Sequence, residues 1–250
     1  MREWKLRGYL TPEDFTGTDG EKLQLALNKA AELDIRKVIV TGIYHAEMPL
    51  IMPNHMHLVL DHGEIHGDLR NVVSDNYSFE QDRIFIQGQA GKLVGNVSMC
   101  HTRHLAIEDL KICGDVELGF CRDLRMERTA ISGKLTLGRG TANAIVQKLQ
   151  AQSVTITSRM PELDCGREPT VRNIALRCGE IADGVTLLAA EDFGLLNIQV
   201  DHIRAAGTAV TVGALGEALP ERQYLNLTIT DLDAPKSVEL HNPCKNAFIR

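Results

Sequence analysis

Aromatic residues are scarce in this chain of 250 residues, which contains one Trp, four Tyr and six Phe. A basic block is also missing, because the 27 Lys and Arg are outnumbered by 33 Asp and Glu and the formal net charge is −6. Without clustered positive charge the chain has no electrostatic footprint for phosphates, so we expect no nucleic-acid partner. No run of about 18 apolar residues occurs, so we also expect no membrane-spanning segment.

A signal peptide is not evident, since the charged start over residues 1–8 is not followed by an apolar stretch of sufficient length. We therefore predict a cytoplasmic protein, or a secreted one if a leader has been removed. The cysteines are scattered without C-x-x-C spacing, which favours small buried side chains over disulfides or zinc ligands. They are Cys100, Cys113, Cys121, Cys165, Cys178 and Cys244.

What the chain does contain is an ordinary hydrophobic fraction of 44%, which excludes a disordered chain. The length suits one large domain or two small ones, with a core of Leu, Ile, Val and Ala. We predict a single domain over residues 1–250. Within it we expect an N-terminal arm and capping helix over residues 1–36 and repeated coils over residues 37–250.

An amphipathic helix is predicted from Asp19 to Leu33, because apolar residues recur there at helical spacing and Thr18 or Asp19 can cap the start. A strand over Lys37–Val40, a turn-bearing segment at Thr41–Tyr44 and a second strand over His57–Leu60 follow. A helix placed before many short strands can cover the open end of a stacked sheet.

The chain repeats itself beyond residue 100. Residues 105–119 align with residues 124–138 at an offset of 19, with Leu, Glu, Ile and Gly in the same places. Short alternating strands continue to the C-terminal region, and the successive repeats are expected to start at Leu124, Leu149, Ile174, Leu196 and Leu225. Strands this short bury their apolar sides only by stacking coil upon coil.

This period is too short for propeller blades, and the leucine-rich consensus is absent. The architecture that remains is all-β: a single-stranded right-handed parallel β-helix with an N-terminal capping α-helix. The segment Asp14–Gly20, the helix, the strand Lys37–Val40 and Gly42-Ile43-Tyr44 resemble the opening of the pectin-lyase-like right-handed β-helix superfamily. The resemblance implies the fold, and it implies polysaccharide chemistry only by association.

The polygalacturonase branch of that superfamily provides a sharper test. Residues 181–187 and 207–212 resemble the two segments that carry the aspartates of these hydrolases. Only Asp183 matches, because Thr208 and Ala209 stand in place of the adjacent aspartate pair. Inverting hydrolysis needs one carboxylic acid and one carboxylate base, so the resemblance does not carry over hydrolase activity.

A different catalytic site remains open in the same coils. Asp183, Asp201, His202 and Arg204 lie in neighbouring repeats, and stacking brings equivalent positions about 4.8 Å apart. Such a group could remove a proton next to a sugar carboxylate, as in a lyase or an isomerase. The alternative is that these side chains are solvated turn residues.

A histidine-rich segment lies earlier in the chain. If residues 62–68 stay extended, alternation places His62, Glu64 and His66 on one face, where they could hold Zn²⁺ or another divalent metal. The spacing matches no standard motif, and Gly63 and Gly67 indicate turns, so an ordinary polar outer face is the alternative.

Together these patterns favour a carbohydrate-active protein that acts on an acidic polysaccharide or oligosaccharide as a lyase, a hydrolase-like enzyme or a transferase with a non-standard site. The alternative is a non-catalytic carbohydrate-binding protein or an oligomeric structural β-helix, such as a tail-fibre-like protein or a filament scaffold. We expect a homo-oligomer, because no second capping helix is evident near Phe248 and an uncovered coil exposes a sheet edge. The scarcity of aromatic rings weakens the sugar-binding interpretation, since such rings are common sugar platforms.

Overall fold

The computed structural model describes residues 2–71, 81–159 and 170–250. Its helices are α1 (Arg2–Arg7) and α2 (Asp19–Glu32), with short 3-10 turns at Pro12–Asp14 and Glu221–Gln223. The strands, in chain order, are β1 (Lys37–Val40), β2 (Ile43–His45), β3 (Leu50–Met52), β4 (His57–Asp61), β5 (Glu64–His66), β6 (Leu69–Asn71), β7 (Gln81–Gln89), β8 (Lys92–Val94), β9 (Val97–Cys100), β10 (Thr102–Glu108), β11 (Lys111–Cys113), β12 (Val116–Gly119), β13 (Arg122–Glu127), β14 (Ala130–Ile131), β15 (Lys134–Gly138), β16 (Ala142–Gln147), β17 (Gln150–Ala151), β18 (Ser153–Thr157), β19 (Val171–Ile181), β20 (Val185–Leu188), β21 (Leu195–Arg204), β22 (Thr208–Val212), β23 (Tyr224–Asp233), β24 (Lys236–Leu240) and β25 (Phe248–Ile249).

The strands form three parallel ladders that wrap around one core, and we call them faces 1, 2 and 3. Face 1 consists of β1, β4, β7, β10, β13, β16, the first part of β19, β21 and β23, and β25. Face 2 consists of β2, β5, β8, β11, β14, β17 and the ends of β19, β21 and β23, and face 3 runs from β3 to β24. Among the described residues every pairing between named strands is parallel, as a coil that advances one rung per turn requires. The predicted parallel β-helix is confirmed.

Helix α2 covers the first coil of this stack. Its buried face consists of Leu23, Ala26, Leu27 and Ala30, and it packs on β1, β2 and β3. Thr18 begins the helix with a reciprocal capping box, in which the Thr18 amide donates to Glu21 Oε2 at 2.8 Å. The predicted capping helix is confirmed, and it ends at Glu32, one residue earlier than expected.

The predicted offset of 19 residues is confirmed, because Ile107 pairs with Met126 and Val116 pairs with Leu135. Two expected repeat starts are wrong. In the next coil, Leu124 pairs with Ala144 rather than with Leu149. Likewise, Ile174 pairs with Ile198 rather than with Leu196. A small interior alanine concealed the first register, and Leu196 is one of the outward residues.

Two further corrections concern local structure. The segment Thr41–Tyr44, which was expected to bear a turn, overlaps strand β2. There Tyr44 points into the core and pairs with Ile65. Cys178 is exposed, whereas a buried side chain was expected, and Cys121 is buried as predicted. All five described cysteines are free thiols, and Cys165 lies outside the described residues.

Left-handed backbone turns recur at two corners of the coil. Corner 1 lies near the start of the face 1 strands. From the fifth coil onward it is occupied by six residues with φ between 55° and 57°, namely Asp123, Asn143, Asn173, Asn197, Asn226 and Asn246. Corner 2 separates face 1 from face 2 and is occupied by His62, Ala90, Asp109, Arg128, Lys148, Cys178, His202 and Asp231. Asn and Asp tolerate this conformation better than most residues, which explains their concentration at corner 1.

Candidate functional site

A groove of about 690 Å³ crosses five successive coils on face 2. Its rim and walls follow from the register, which stacks Lys111, Ala130, Gln150, Glu180 and Arg204 as one outward row. The next outward row contributes small side chains at Ser132, Ala182 and Ala206, with the longer Gln152 between them. The groove therefore exists because short side chains leave space between longer polar ones.

The C-terminal end of this row is a connected polar chain. The Gln150 amide donates to Glu180 Oε2 at 3.1 Å. The Arg204 guanidinium lies 3.6 Å from Glu180 Oε1 and, through Nε, 3.0 Å from Asp233 Oδ2. One cation thus bridges two carboxylates that belong to the coils on either side of it.

Lys111 stands at the opposite end of the groove. No hydrogen bond or ion pair joins its ammonium group to another residue in the described part of the chain. The groove therefore has a cation free to bind a ligand at one end and a guanidinium shared between two carboxylates at the other.

A second cavity of about 370 Å³ adjoins the groove at corner 2 and shares Glu180 and Arg204 with it. It is lined by two parallel stacks of side chains, each taken from three successive coils. One stack is Cys178, His202 and Asp231, and the other is Glu180, Arg204 and Asp233. In the first stack, His202 Nδ1 is paired with the Asp231 carboxylate.

The four predicted catalytic residues are divided between these cavities and the surrounding surface. His202 and Arg204 line the cavity at corner 2. Asp183 lies in the turn after β19 and accepts a hydrogen bond of 2.7 Å from Gln152 at the groove margin. Asp201 lies on face 1, where Thr230 donates to it at 2.6 Å. The left-handed turn at His202 separates Asp201 from Arg204, so the four side chains do not converge.

The predicted metal ligands are also separated. Glu64 and His66 project from the same side of β5, and His66 Nε2 lies 3.0 Å from Glu64 Oε2. His62 occupies corner 2 with φ of 55°, and its ring lies 3.8 Å from Asp61 instead. Within the described ranges, no three or more His, Cys, Asp or Glu side chains are grouped so that they could hold a metal ion.

Glu64 has a structural partner set of its own. Hydrogen bonds from His66 and then from Lys92, whose ammonium lies 3.3 Å away, hold the pKa of the Glu64 carboxyl below its usual value. Because His62 lies in the left-handed turn at corner 2, the alternation predicted for residues 62–68 holds over β5 only.

Several residues of the site were missed in the sequence, although a signal was present. Each corner 2 residue is followed by an inward residue, an outward residue and another inward residue. Aligning the tetrads that begin at 148, 178, 202 and 231 stacks Gln150, Glu180, Arg204 and Asp233 in one row. The pattern is hidden because the first residue of each tetrad differs in chemistry from coil to coil.

None of the helices in the described residues is long and apolar enough to cross a membrane. No family model and no curated protein matches the sequence.

Solved structures do resemble the chain. A tailspike protein mutant of E. coli bacteriophage HK620, described in complex with a pentasaccharide, is similar with a TM-score of 0.57 and 11% identity, over 97% of this chain and 59% of the tailspike chain. The Streptococcus pneumoniae surface protein and adhesin PfbA is similar with a TM-score of 0.49 and 8% identity, over 97% of this chain and 100% of that one. A polygalacturonase from Erwinia carotovora has a TM-score of 0.47 and 11% identity, with 94% and 91% covered.

At this level of identity the likeness to the tailspike shows the fold alone. Combined with the three parallel faces, the stacked register and the helix over the first coil, it shows that this chain has the right-handed parallel β-helix fold.

Proposed function

We propose that the face 2 groove binds an oligosaccharide that carries carboxylate groups. The observation that carries this proposal is the groove itself, which is long and open, has a mostly apolar floor with polar side chains along it, and runs along the stack from Lys111 to Arg204. A ligand made of repeating units suits a surface made of repeating coils about 4.8 Å apart.

The lining has the chemistry that such a ligand needs. The amides of Gln150 and Gln152 and the Ser132 hydroxyl can donate to and accept from sugar hydroxyls. Lys111 can pair with a sugar carboxylate, and Ala130, Ala182 and Ala206 offer apolar contact to ring carbons. The pentasaccharide described with the structurally similar tailspike supports an oligosaccharide as the ligand class.

Binding is favoured over hydrolysis by the arrangement of the carboxylates. Glu180 and Asp233 both contact the Arg204 guanidinium. Hydrolysis uses two carboxyls that face the glycosidic bond, one as acid and one as base or nucleophile. Lyase or transferase activity, the homo-oligomeric state and the cytoplasmic location stay predictions.

Isothermal titration with an oligomer of galacturonic acid tests the proposal, and a neutral galactose oligomer of equal length serves as the comparison ligand. We expect the acidic oligomer to bind more tightly, and more weakly as salt is added. Lys111→Gln removes a charge-assisted contact of about 1.5–3 kcal/mol, which corresponds to a roughly tenfold or greater rise in Kd. Lys134→Gln, on an exposed residue of face 3, should leave Kd unchanged.

A second pair of variants tests the groove independently of charge. Ala130→Phe fills the groove and should abolish binding, whereas Ala106→Phe places the same ring on the outer side of face 1 and should not. The proposal would be overturned if neither oligosaccharide bound, or if Ala130→Phe bound the acidic oligomer as tightly as the unmodified chain. Mass spectrometry of the recovered oligosaccharide should show no change. A shortened or unsaturated product would show that the protein cleaves the oligosaccharide rather than only binding it.

A further inference from the structure

The charges along face 2 are unevenly distributed and form two groups. The outward row that lines the groove continues beyond it at both ends, and in register order it consists of Glu64, Lys92, Lys111, Ala130, Gln150, Glu180, Arg204 and Asp233. The first three side chains together carry one net positive charge, and the last three carry one net negative charge. The two residues between the groups are neutral, so the row is polarised along the axis of the stack.

The N-terminal group has more positive charge than its carboxylate can neutralise. Lys92 and Lys111 occupy neighbouring rungs, where like charges repel each other. The Lys92 ammonium lies 3.3 Å from Glu64 Oε2, whereas the Lys111 ammonium has no hydrogen bond or ion pair in the part of the chain that the structure describes. A carboxylate bound beside Lys111 would pair with the free ammonium and reduce the repulsion between the two lysines. This end of the groove is therefore suited to one anionic group.

The C-terminal group has the opposite composition. Glu180 and Asp233 share the single guanidinium of Arg204, at 3.6 and 3.0 Å, and 60% and 78% of their side chains are exposed. A carboxylate brought in by a ligand would be repelled by both of them and would find the only cation of the group already shared. Sugar hydroxyls can instead donate hydrogen bonds to the exposed carboxylate oxygens. This end is therefore suited to neutral sugar units.

The two ends are far enough apart to act separately. Lys111 and Glu180 are three rungs apart, which is about 14 Å at the spacing of stacked strands. The screening length at physiological ionic strength is about 8 Å, so the field of Glu180 is largely screened at Lys111. The attraction at one end and the repulsion at the other therefore do not cancel.

We propose that the groove selects an oligosaccharide with a carboxylate at one end only and binds it in one direction. The acidic unit lies over Lys111, and neutral units lie over Gln150 and Glu180 toward Arg204. This inference rests on the proposed function, to which it adds the position of the ligand charge and the direction of the sugar chain. A ligand with a carboxylate on every unit gains the contact with Lys111 but is repelled at the other end.

Isothermal titration with four galactose-based pentamers of identical linkage tests the inference, with one sugar unit for each of the five coils of the groove. Two pentamers carry a single galacturonic acid, at the reducing end in one and at the non-reducing end in the other. The remaining two are the neutral and the fully acidic pentamers. We expect one single-acid isomer to bind about tenfold more tightly than the other, because only one can place its carboxylate beside Lys111 with neutral units over the C-terminal group. The fully acidic pentamer should bind no more tightly than the favoured isomer.

Variants at the two ends separate the attraction from the repulsion. Lys111→Gln should remove the difference between the two single-acid isomers, whereas Lys134→Gln on face 3 should preserve it. Glu180→Gln should tighten binding of the fully acidic pentamer by about two- to fivefold, because it removes a repulsive carboxylate and releases the Arg204 guanidinium from one of its partners. Glu191→Gln removes the same charge from an exposed turn outside the groove and should not change that Kd.

The results distinguish this inference from the proposed function on which it rests. If both single-acid isomers bound equally well and more tightly than the neutral pentamer, the groove would bind acidic oligosaccharides without a preferred direction, and only this inference would be overturned. It would also be overturned if the fully acidic pentamer bound more tightly than either isomer. If none of the four pentamers bound, both would be overturned.

Discussion

The side-chain amide of Asn197 donates a hydrogen bond of 2.9 Å to the side-chain oxygen of Asn173 in the preceding coil. The same contact is repeated from Asn173 to Asn143 at 2.9 Å and from Asn226 to Asn197 at 2.8 Å. Asp123 ends the series in the N-terminal direction by accepting from Asn143. Corner 1 is therefore joined by a continuous ladder that runs parallel to the backbone hydrogen bonds of face 1.

Replacing Asn197 should separate the stability that comes from its side-chain hydrogen bonds from the stability that comes from its tolerance of the left-handed backbone conformation. Asn197→Ala removes both amide contacts and puts in the left-handed conformation a residue that tolerates it less well than Asn, so we expect a loss of about 1–3 kcal/mol in the free energy of unfolding. Asn197→Gly removes the contacts but tolerates the conformation, so its loss should be smaller. Urea denaturation measures both, and equal losses would assign the whole effect to hydrogen bonding.

A buried carboxylate on face 1 should make stability depend on pH. Only 7% of the Glu127 side chain is exposed, and Arg125 reaches its Oε2 at 2.5 Å. The hydrogen bond from Arg125, followed by that from Gln147, holds the pKa of Glu127 below its usual value. A lowered pKa in the folded state stabilises the protein above the unfolded pKa of about 4.3, and this contribution is lost as pH falls through the folded value.

Glu127→Gln should accordingly lower the urea midpoint at neutral pH and lower it less in acid, below the folded pKa. Glu191→Gln, on an exposed turn residue, is the control and should change the midpoint little at either pH. A midpoint difference for Glu127→Gln that stays constant across this range would contradict the electrostatic explanation.

Gly63 is required by close backbone approach. A Cβ at this position would lie 2.3 Å from the carbonyl oxygen of Val40, which is held in β1 and cannot move aside. We expect Gly63→Ala to reduce the free energy of unfolding by about 1–3 kcal/mol or more. Gly207→Ala is the matched control, because no atom lies within 4 Å of the added Cβ. Thermal unfolding should show a clear drop in Tm for the first variant only.

Tyr224 combines burial with a hydrogen-bond role inside the stack. Its ring is fully buried, and its hydroxyl accepts from the Ala189 amide at 2.9 Å. Tyr224→Phe leaves that buried amide unpaired, which we expect to destabilise the protein by about 1–3 kcal/mol. Tyr9→Phe changes a ring that is only partly buried and should have little effect in the same denaturation experiment.

The same tyrosine should contribute to loss of stability in alkali. Burial raises the pKa of the Tyr224 hydroxyl, so the unfolded chain releases its proton first as pH rises. The stabilisation is complete below the unfolded pKa of about 10 and decreases as pH rises through the folded value. In urea midpoints measured from neutral pH upward, Tyr224→Phe should therefore show a shallower alkaline decline than the unmodified chain.

The fold class, the capping helix and much of the interior follow from local patterns in the sequence. Its alternating short strands, its repeat of 19 residues and the amphipathic segment after Thr18 are local patterns, and each reflects a backbone conformation that neighbouring residues dictate. The small number of aromatic residues is consistent with an interior of stacked Leu, Ile and Val side chains.

Which residues share a face, by contrast, depends on how the coils pack against one another. His202 and Arg204 were found in the sequence, but Glu180 and Asp233 became their partners through the register between coils of unequal length. Asp201 and His62 were misplaced because a left-handed residue at corner 2 redirects the chain, and that residue can be Asp, Arg, Lys, Cys or His. Corner conformation and register are set by packing against the coils above and below, which no short stretch of sequence specifies.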